Sequence, residues 1–293
     1  MFEILAAVGD YTRYADLGLH PIAFEIGPLA VRWYSLGYLA GILLGYWWLT
    51  RLLAKPGAPM SREHADDMIL YGTLGIILGG RLGYILFYKP DILMNPLEIF
   101  KVWEGGMSLH GGALGTIFAI WLLARRKGLS FLRVCDYIAC VIPFGLFLVR
   151  IANFINGELW GRVTDVSWAI RFTEYVNGAH VTGPPRHPSQ LYEAGLEGLL
   201  MAAILWPLFF KTDARYKPGF LFGMAALIYG AARFTVEFFR APDAHLQWLA
   251  DMSGLSMGQW LTIPMILFGI YMVVTAKGRR QRVEPVAGAQ SVA

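Results

Sequence analysis

Arg150-Ile151-Ala152-Asn153-Phe154-Ile155-Asn156-Gly157-Glu158-Leu159-Trp160-Gly161-Arg162 follows directly on an apolar run from Val134 to Val149. A run of that length reaches most of the way across a bilayer, so Arg150 stands at membrane depth or at the point of leaving it. A guanidinium facing the hydrocarbon centre costs about 2.5–3.5 kcal/mol on insertion scales. Arg150 therefore has to face protein, water or an anion. On a helix Arg150 and Asn153 share a face, and Gly157 permits a break after which Glu158 and Arg162 turn back toward them. The stretch thus reads as a fixed cation, hydrogen-bonding amides and a carboxylate gathered at a membrane boundary.

Composition agrees with a membrane chain. Of 293 residues, 56% are hydrophobic and only 16% charged, with 33 glycines, and the mean hydropathy is +0.47. These values belong to polytopic membrane proteins and exclude an ordinary soluble domain. A sequence pI near 9.0 would suit nucleic acid if the basic residues lay on one polar face, but they sit in short clusters between apolar runs. Cys135 and Cys140, five apart in one apolar segment, suit neither a disulfide framework nor a metal motif and read as core packing. No metal or cofactor is expected. Met1 to Pro28 lacks the basic start and compact apolar centre of a signal peptide and carries four acids against Arg13, so it reads as a retained acidic arm.

Seven runs have roughly the 18 or more mostly apolar residues that a crossing needs: 31–50, 68–88, 106–124, 134–152, 190–210, 219–239 and 258–276. The expected fold is therefore all-α, with seven transmembrane helices between a 1–30 arm and a 277–293 tail. The segments after the first, third, fifth and seventh runs hold 14 of the 25 basic residues. By the positive-inside rule they face the cytoplasm, which puts the N-terminus outside and the C-terminus inside. Residues 153–189 form the longest connection, on the outer side, and read as a small folded head. There Trp168, Ile170 and Phe172 alternate with Ala169, Arg171 and Thr173, and Asn177-Gly178 supplies a hairpin turn before His180-Val181-Thr182. Pro184-Pro185 and His187-Pro188 are expected to force a turn before the fifth run. No internal repeat is visible.

Three arginines, Arg81, Arg150 and Arg233, fall within apolar runs. Gly79-Gly80-Arg81-Leu82-Gly83-Tyr84 is either a close-packing seam with a snorkelling arginine or a site where Arg81 meets an anionic head group. Gly105-Gly106-Met107-Ser108-Leu109-His110-Gly111-Gly112 opens the third run. It offers amide N–H groups to an anion and an imidazole that exchanges protons near neutral pH, unless His110 is simply a satisfied structural residue. In the sixth run Tyr229, Arg233, Glu237 and Arg240 make one polar stripe, with Arg233 and Glu237 at ion-pair spacing. Two intramembrane guanidiniums can clamp one phosphate. Ser189 reads as a helix cap ahead of Gln190 and Glu193, and Trp33-Tyr34 as part of an aromatic belt. No GxSxG, HExxH, Walker or CxxC motif occurs, and no protein nucleophile is evident.

Taken together these segments resemble the bacterial prolipoprotein diacylglyceryl transferase family. The resemblance runs in order from Ile26-Gly27-Pro28 through Trp33-Tyr34, Gly79-Gly80-Arg81, Gly106 to Gly112, Arg150 to Arg162, His187 to Glu193 and Tyr229 to Asp243, ending at Ser256-Met257-Gly258-Gln259. Ala152 stands where the family usually has glycine, a small-for-small change at the helix end. The resemblance implies an inner-membrane enzyme that moves the diacylglyceryl group of phosphatidylglycerol to the lipobox cysteine thiol of a prolipoprotein signal peptide, forming a thioether and releasing glycerol phosphate. It also implies that Arg150 and Arg233 take the phosphate, and that Tyr34, Asn153, Glu158, Gly161, Tyr229 and Glu237 line the head-group site, with Arg81 a further candidate. His110 is the candidate general base, with Glu158 or Glu237 as alternatives. A transporter or flippase of an anionic lipid would also place arginines in spans but predicts internal symmetry or broken paired helices. A noncatalytic lipid-binding scaffold gives no reason for His110 between glycine pairs.

Overall fold

The computed structural model describes residues 11–27, 29–101, 106–176, 178–241 and 252–280, with the side chains of 29, 96, 109 and 110 outside that description. The chain divides into two compact units. One comprises Met1–Trp47, Ile138–Arg215 and Gly219–Gly278, the other Trp48–Tyr137, Tyr216–Pro218 and Arg279–Ala293. In chain order the main elements are β1 (Thr12–Arg13), β2 (Ile22–Ile26), β3 (Leu29–Arg32), α1 (Trp33–Leu53), α2 (Arg62–Tyr88), α3 (Pro96–Ile99), α4 (Leu109–Arg126), α5 (Phe131–Ala139) and α6 (Ile142–Ile155). They continue with β4 (Ile170–Val176), β5 (Ala179–Arg186), α7 (Ser189–Lys211), α8 (Phe220–Val236) and α9 (Met257–Thr275).

Helices cover every apolar run, but not all of them are spans by length and composition. α1, α2, α7 and α9 with its extension to Arg279 are each long and apolar enough to cross a bilayer, and α5 with α6 makes a fifth if that bent pair is one crossing. α8 is a shorter apolar helix of 17 residues. α4 has 18 residues, but four of its positions are polar or charged, with Arg125 and Arg126 closing it, so its apolar stretch is short. Among the described residues, four helices, or five with the bent pair, are thus long and apolar enough to cross. The chain is a multi-pass membrane protein.

In the second unit α2 packs along α4 through facing glycines. A Cβ at Gly75 would lie 2.6 Å from the Gly115 carbonyl oxygen, one at Gly79 2.7 Å from Gly115 Cα, and one at Gly83 2.7 Å from Gly111 Cα. Residues four apart on each helix therefore present bare backbone to one another, the small-residue seam by which membrane helices approach closely. Each helix opens on a serine cap. Ser61 Oγ accepts from the His64 N–H and Ser108 Oγ from the Gly111 N–H, so an amide that the sequence offered to an anion is already engaged. The glycine seam beside Arg81 is present, and the buried Arg81 guanidinium donates to the carbonyls of Ile99, Glu98 and Gly106 at 2.9, 2.5 and 3.3 Å.

In the first unit a three-stranded sheet has the order β1-β4-β5, with β1 parallel and β5 antiparallel to β4. The hairpin expected around residues 170–182 is present, turning through Gly178 at φ +84°; Asn177 lies outside the described residues. One sequence expectation changes here. Pro184 and Pro185 do not turn the chain but lie within β5, which is an edge strand where a missing N–H leaves no gap in the ladder. In the N-terminal segment residues 12–32 supply three strands, and Tyr14 is buried with Ile170 and Phe172 against Leu19, Phe154 and Trp160. Tyr14 also donates its hydroxyl proton to the Ile155 carbonyl, which ties the sheet to the end of α6. α8 and α9 pack through Gly223 and Gly269, each backbone against the other's. Cys135 and Cys140 are buried thiols that form no disulfide.

Candidate functional site

α6 ends at Ile155, and Gly157 at φ +65° reverses the chain. As the sequence suggests, Glu158 turns back: its Oε1 accepts from Asn153 Nδ2 at 2.9 Å and from Asn156 Nδ2 at 3.2 Å. Arg162 does not. Its Nε donates instead to the Arg240 carbonyl at 3.0 Å, because the chain from Leu159 onward runs along residues 186–189 and 239–240. Leu159 takes φ +58° to enter that path, a left-handed conformation that disfavours side chains and marks strain held by its surroundings. Those surroundings are visible. Ser189 Oγ donates to the Leu159 carbonyl at 3.1 Å and Gln190 Nε2 to the Glu158 carbonyl at 2.5 Å. Ser189 therefore pins the loop rather than capping its own helix, which has no side-chain cap.

Gly161 closes the loop. Its N–H donates to the His187 carbonyl at 2.9 Å and it pairs with Arg240 as an isolated bridge. A Cβ there would lie 2.5 Å from the Phe239 carbonyl oxygen and 2.7 Å from His187 Cβ, so only glycine fits without displacement. Behind it, Arg186 Nη1 donates to the Gly161 carbonyl at 3.3 Å while Glu174 on β4 accepts from Arg186. His187 Nδ1 lies 3.1 Å from the Tyr192 hydroxyl. Burial lowers its pKa below the ordinary histidine value, because an imidazolium loses hydration there.

The charged centre lies where α6, α7 and α8 meet. Arg150 Nε and Nη2 donate to Glu197 Oε2 at 3.2 and 3.1 Å, and Arg150 Nη1 stands 3.2 Å from Glu193 Oε2. Arg233 Nη1 donates to Glu193 Oε1 at 2.6 Å, and its Nη2 stands 2.9 Å from Glu237 Oε2, the i,i+4 pair read from the sequence. Arg240 Nη1 also donates to Glu193 Oε1, at 3.0 Å. Glu193 and Glu197 are fully buried, while the side chains of Arg150 and Arg233 keep 15% and 16% exposure. The arginines are thus held by buried acids and keep a small exposed surface. Tyr229 lies within electrostatic range of Arg150, Arg233, Glu193 and Glu197, and Tyr34 within range of Glu158 and Arg150. Gly258 at the start of α9 lets the Glu237 carboxylate come close, since a Cβ there would meet it at 2.7 Å.

Of the expected site residues, Tyr34, Arg150, Asn153, Glu158, Gly161, Tyr229, Arg233 and Glu237 all belong to the first unit. Arg81 and His110 belong to the second. His110 is the second residue of α4, and its side chain lies outside the described residues. The glutamates that hold the arginines were the main omission: Glu193 was noted without a role and Glu197 not at all. Both are acids within a long apolar helix, and applying to acids the search that found the intramembrane arginines would have found them. Among the described residues no three His, Cys, Asp or Glu side chains gather as a metal-binding group.

Comparison with known proteins gives the family of the chain. The family model described as prolipoprotein diacylglyceryl transferase matches residues 21–275. The chain is 54% identical over 275 residues to a protein of Erythrobacter litoralis named phosphatidylglycerol--prolipoprotein diacylglyceryl transferase, covering 93% of this chain and 94% of that one. Proteins of the same name from Zymomonas mobilis and Idiomarina loihiensis are 49% and 50% identical, over 95% and 92% of this chain and 98% and 96% of theirs. With a family match across nearly the whole chain and relatives at half identity over their full length, the chain belongs to the prolipoprotein diacylglyceryl transferase family.

Proposed function

We propose that the protein transfers the diacylglyceryl group of phosphatidylglycerol to the lipobox cysteine thiol of prolipoprotein signal peptides, the first step of bacterial lipoprotein maturation. The observation that carries this reading is the pair Arg150 and Arg233, bridged by the buried Glu193 and each keeping some exposed surface. The substrate sulfur attacks the glycerol carbon that bears the phosphate ester. The C–S bond forms as that C–O bond breaks, and the electron pair leaves with glycerol phosphate. Charge grows on the phosphate as the bond breaks, and preorganised guanidiniums in a site of low dielectric stabilise it. Each guanidinium has five N–H donors. Among the described residues the glutamates take two hydrogen bonds from Arg150 and one from Arg233, so donors remain for a phosphate.

The rest of the site follows. Tyr34, Asn153, Glu158, Gly161, Tyr229 and Glu237 line the head-group region. The thiol supplies the nucleophile, so the protein needs none of its own but must accept the thiol proton. His110 is the proposed base, with Glu158 or Glu237 in its place if His110 proves dispensable. Arg81 is a further candidate for the head group; within its own unit its guanidinium donates to the carbonyls of Glu98, Ile99 and Gly106. The distribution of basic residues supports an inner-membrane protein crossing seven times, its N-terminus and the 153–189 head in the periplasm and its tail in the cytoplasm. α4, α5 with α6, and α8 supply the three crossings beyond the four clear ones.

Purified protein is tested for thioether formation on a synthetic lipobox peptide with phosphatidylglycerol. The comparison is wild type against Arg150→Ala, Arg233→Ala and His110→Gln, with lipid binding followed separately. Both arginine variants should lose turnover, and His110→Gln should keep lipid binding and lose rate. Wild-type protein that forms no thioether refutes the reading.

A further inference from the structure

We propose that Glu193 is a positioning residue for this transfer, the strut that sets Arg150 and Arg233 at the spacing one phosphate requires. The inference rests on the transferase reading above. The Glu193 carboxylate meets three arginines: Oε1 accepts from Arg233 and Arg240, and Oε2 stands against Arg150. Those arginines come from two separate places in the chain, Arg150 from α6 and Arg233 with Arg240 from the end of α8 and just after it. A fully buried carboxylate between them removes the mutual repulsion of the guanidiniums and fixes their separation.

The backbone around Glu193 is built for this. Immediately after it, Ala194–Leu200 form a π-helical stretch inside α7, a wider turn that is rare and is found mostly where function needs it. Within that stretch Glu197 reaches the other edge of Arg150, and Gly198 packs so closely on α6 that a Cβ would lie 2.7 Å from Phe147 Cβ. One face of α7 thus carries two acids against one arginine while the first of them also reaches α8. Neither acid has exposed side-chain surface, so neither is placed to touch the transferred group. Their action on the reaction passes through the arginines, whose orientation decides how well the departing phosphate is met.

The test uses the full chain in nanodiscs containing phosphatidylglycerol, with thioether formation on a lipobox peptide resolved into kcat and KM. Glu193→Gln keeps the shape and removes the charge that bridges the arginines. It should lower kcat on the order of 100-fold with the peptide KM little changed, and Glu193→Asp, which keeps the charge, should recover part of the loss. Because a buried unpaired arginine carries a stability cost, the double variant Glu193→Gln/Arg240→Gln restores charge balance without restoring the bridge and should remain as slow as Glu193→Gln. Full kcat in Glu193→Gln overturns the proposal. So does recovery in the double variant, which would reduce Glu193 to charge balance, and so does a rate loss that matches the unfolded fraction in a thermal melt. A wild type without thioether formation overturns the transferase reading as well, and is told apart because it needs no variant.

Discussion

Replacing Gly161 with alanine tests whether the loop after α6 is part of the working site. The added Cβ would stand 2.5 Å from the Phe239 carbonyl oxygen and 2.7 Å from both Cβ and the carbonyl oxygen of His187. The atoms it meets are largely backbone, which no rotamer change can move aside. Relief requires the strand at 161–162 to retreat by roughly 1 Å, and that carries its hydrogen bonds past useful length. The bonds at risk are Gly161 N–H to His187 at 2.9 Å and Arg162 N–H to Phe239 at 2.7 Å. Two net backbone hydrogen bonds are worth about 1–3 kcal/mol, the same range as overpacking a tight site. If the loop must be in place for the head group to bind or react, that loss lowers turnover by about 5–150-fold, and the thermal midpoint should fall by several degrees. Thioether formation and a detergent melt on the same preparation measure both. A Gly161→Ala protein with wild-type turnover would show that the register of residues 158–162 does not matter to the reaction.

Other substitutions separate binding from packing. Asn153→Ala removes a charge-assisted hydrogen bond of about 1.5–3 kcal/mol to Glu158, so phosphatidylglycerol binding should weaken by roughly tenfold or more, and Asn156→Ala, with its longer bond, should weaken it less; equilibrium lipid binding decides. Arg81→Gln should lower the melting temperature through the lost carbonyl contacts while leaving lipid affinity within about twofold, the result expected of a loop-holding residue. Gly79→Val forces a branched side chain into the Gly111 and Gly115 backbone and should destabilise by about 1–3 kcal/mol or more, whereas Gly72→Ala, with nothing within 4 Å, should be neutral or gain up to about 1 kcal/mol; a melt of each variant checks the contrast. His187 has its pKa lowered by burial, so between the folded value and the unfolded value near 6.5 the unfolded chain binds the extra proton. Its contribution is therefore fully present above about pH 6.5 and lost as the pH falls, and melts from pH 8 to 5 should show a slope that His187→Phe reduces.

What the sequence made legible, and what it concealed, follows from the range of each interaction. Arg150, Asn153, Gly157 and Glu158 lie within nine residues, and the turn that brings Glu158 back to Asn153 is a local consequence of a glycine after a helix. The 170–186 hairpin announces itself by alternation, and the Arg233–Glu237 pair by helical spacing. The partners of Arg150 are 43 and 47 positions away, on a helix whose pattern is simply apolar, and no period connects them. β1 is two residues long and pairs with a strand more than 150 residues distant, so its pairing has no signature of its own. The prolines of β5 misled for the same reason: whether a proline turns the chain or lies along a sheet edge depends on which strand has no outer neighbour. Leu159 in a left-handed conformation is likewise dictated from outside, by Ser189 and Gln190, and nothing in its own residue type points to it.

The charge count of the cluster explains why a membrane enzyme would carry glutamates against the arginines it needs for a phosphate. Arg150, Arg233 and Arg240 with Glu193, Glu197 and Glu237 sum to no net charge when all are ionised. Three unpartnered guanidiniums at this depth would each carry the insertion cost that Arg150 first raised, and they would repel one another apart. The acids remove both penalties before any lipid arrives. The consequence is that a phosphodiester is not drawn in by a large net positive potential. On the proposed reading its recognition rests on the directed N–H donors of fixed guanidiniums, a short-range contact that bulk salt screens little. The same arrangement favours the leaving group over the substrate, because the added negative charge of glycerol phosphate develops within reach of donors that are already oriented and need not reorganise.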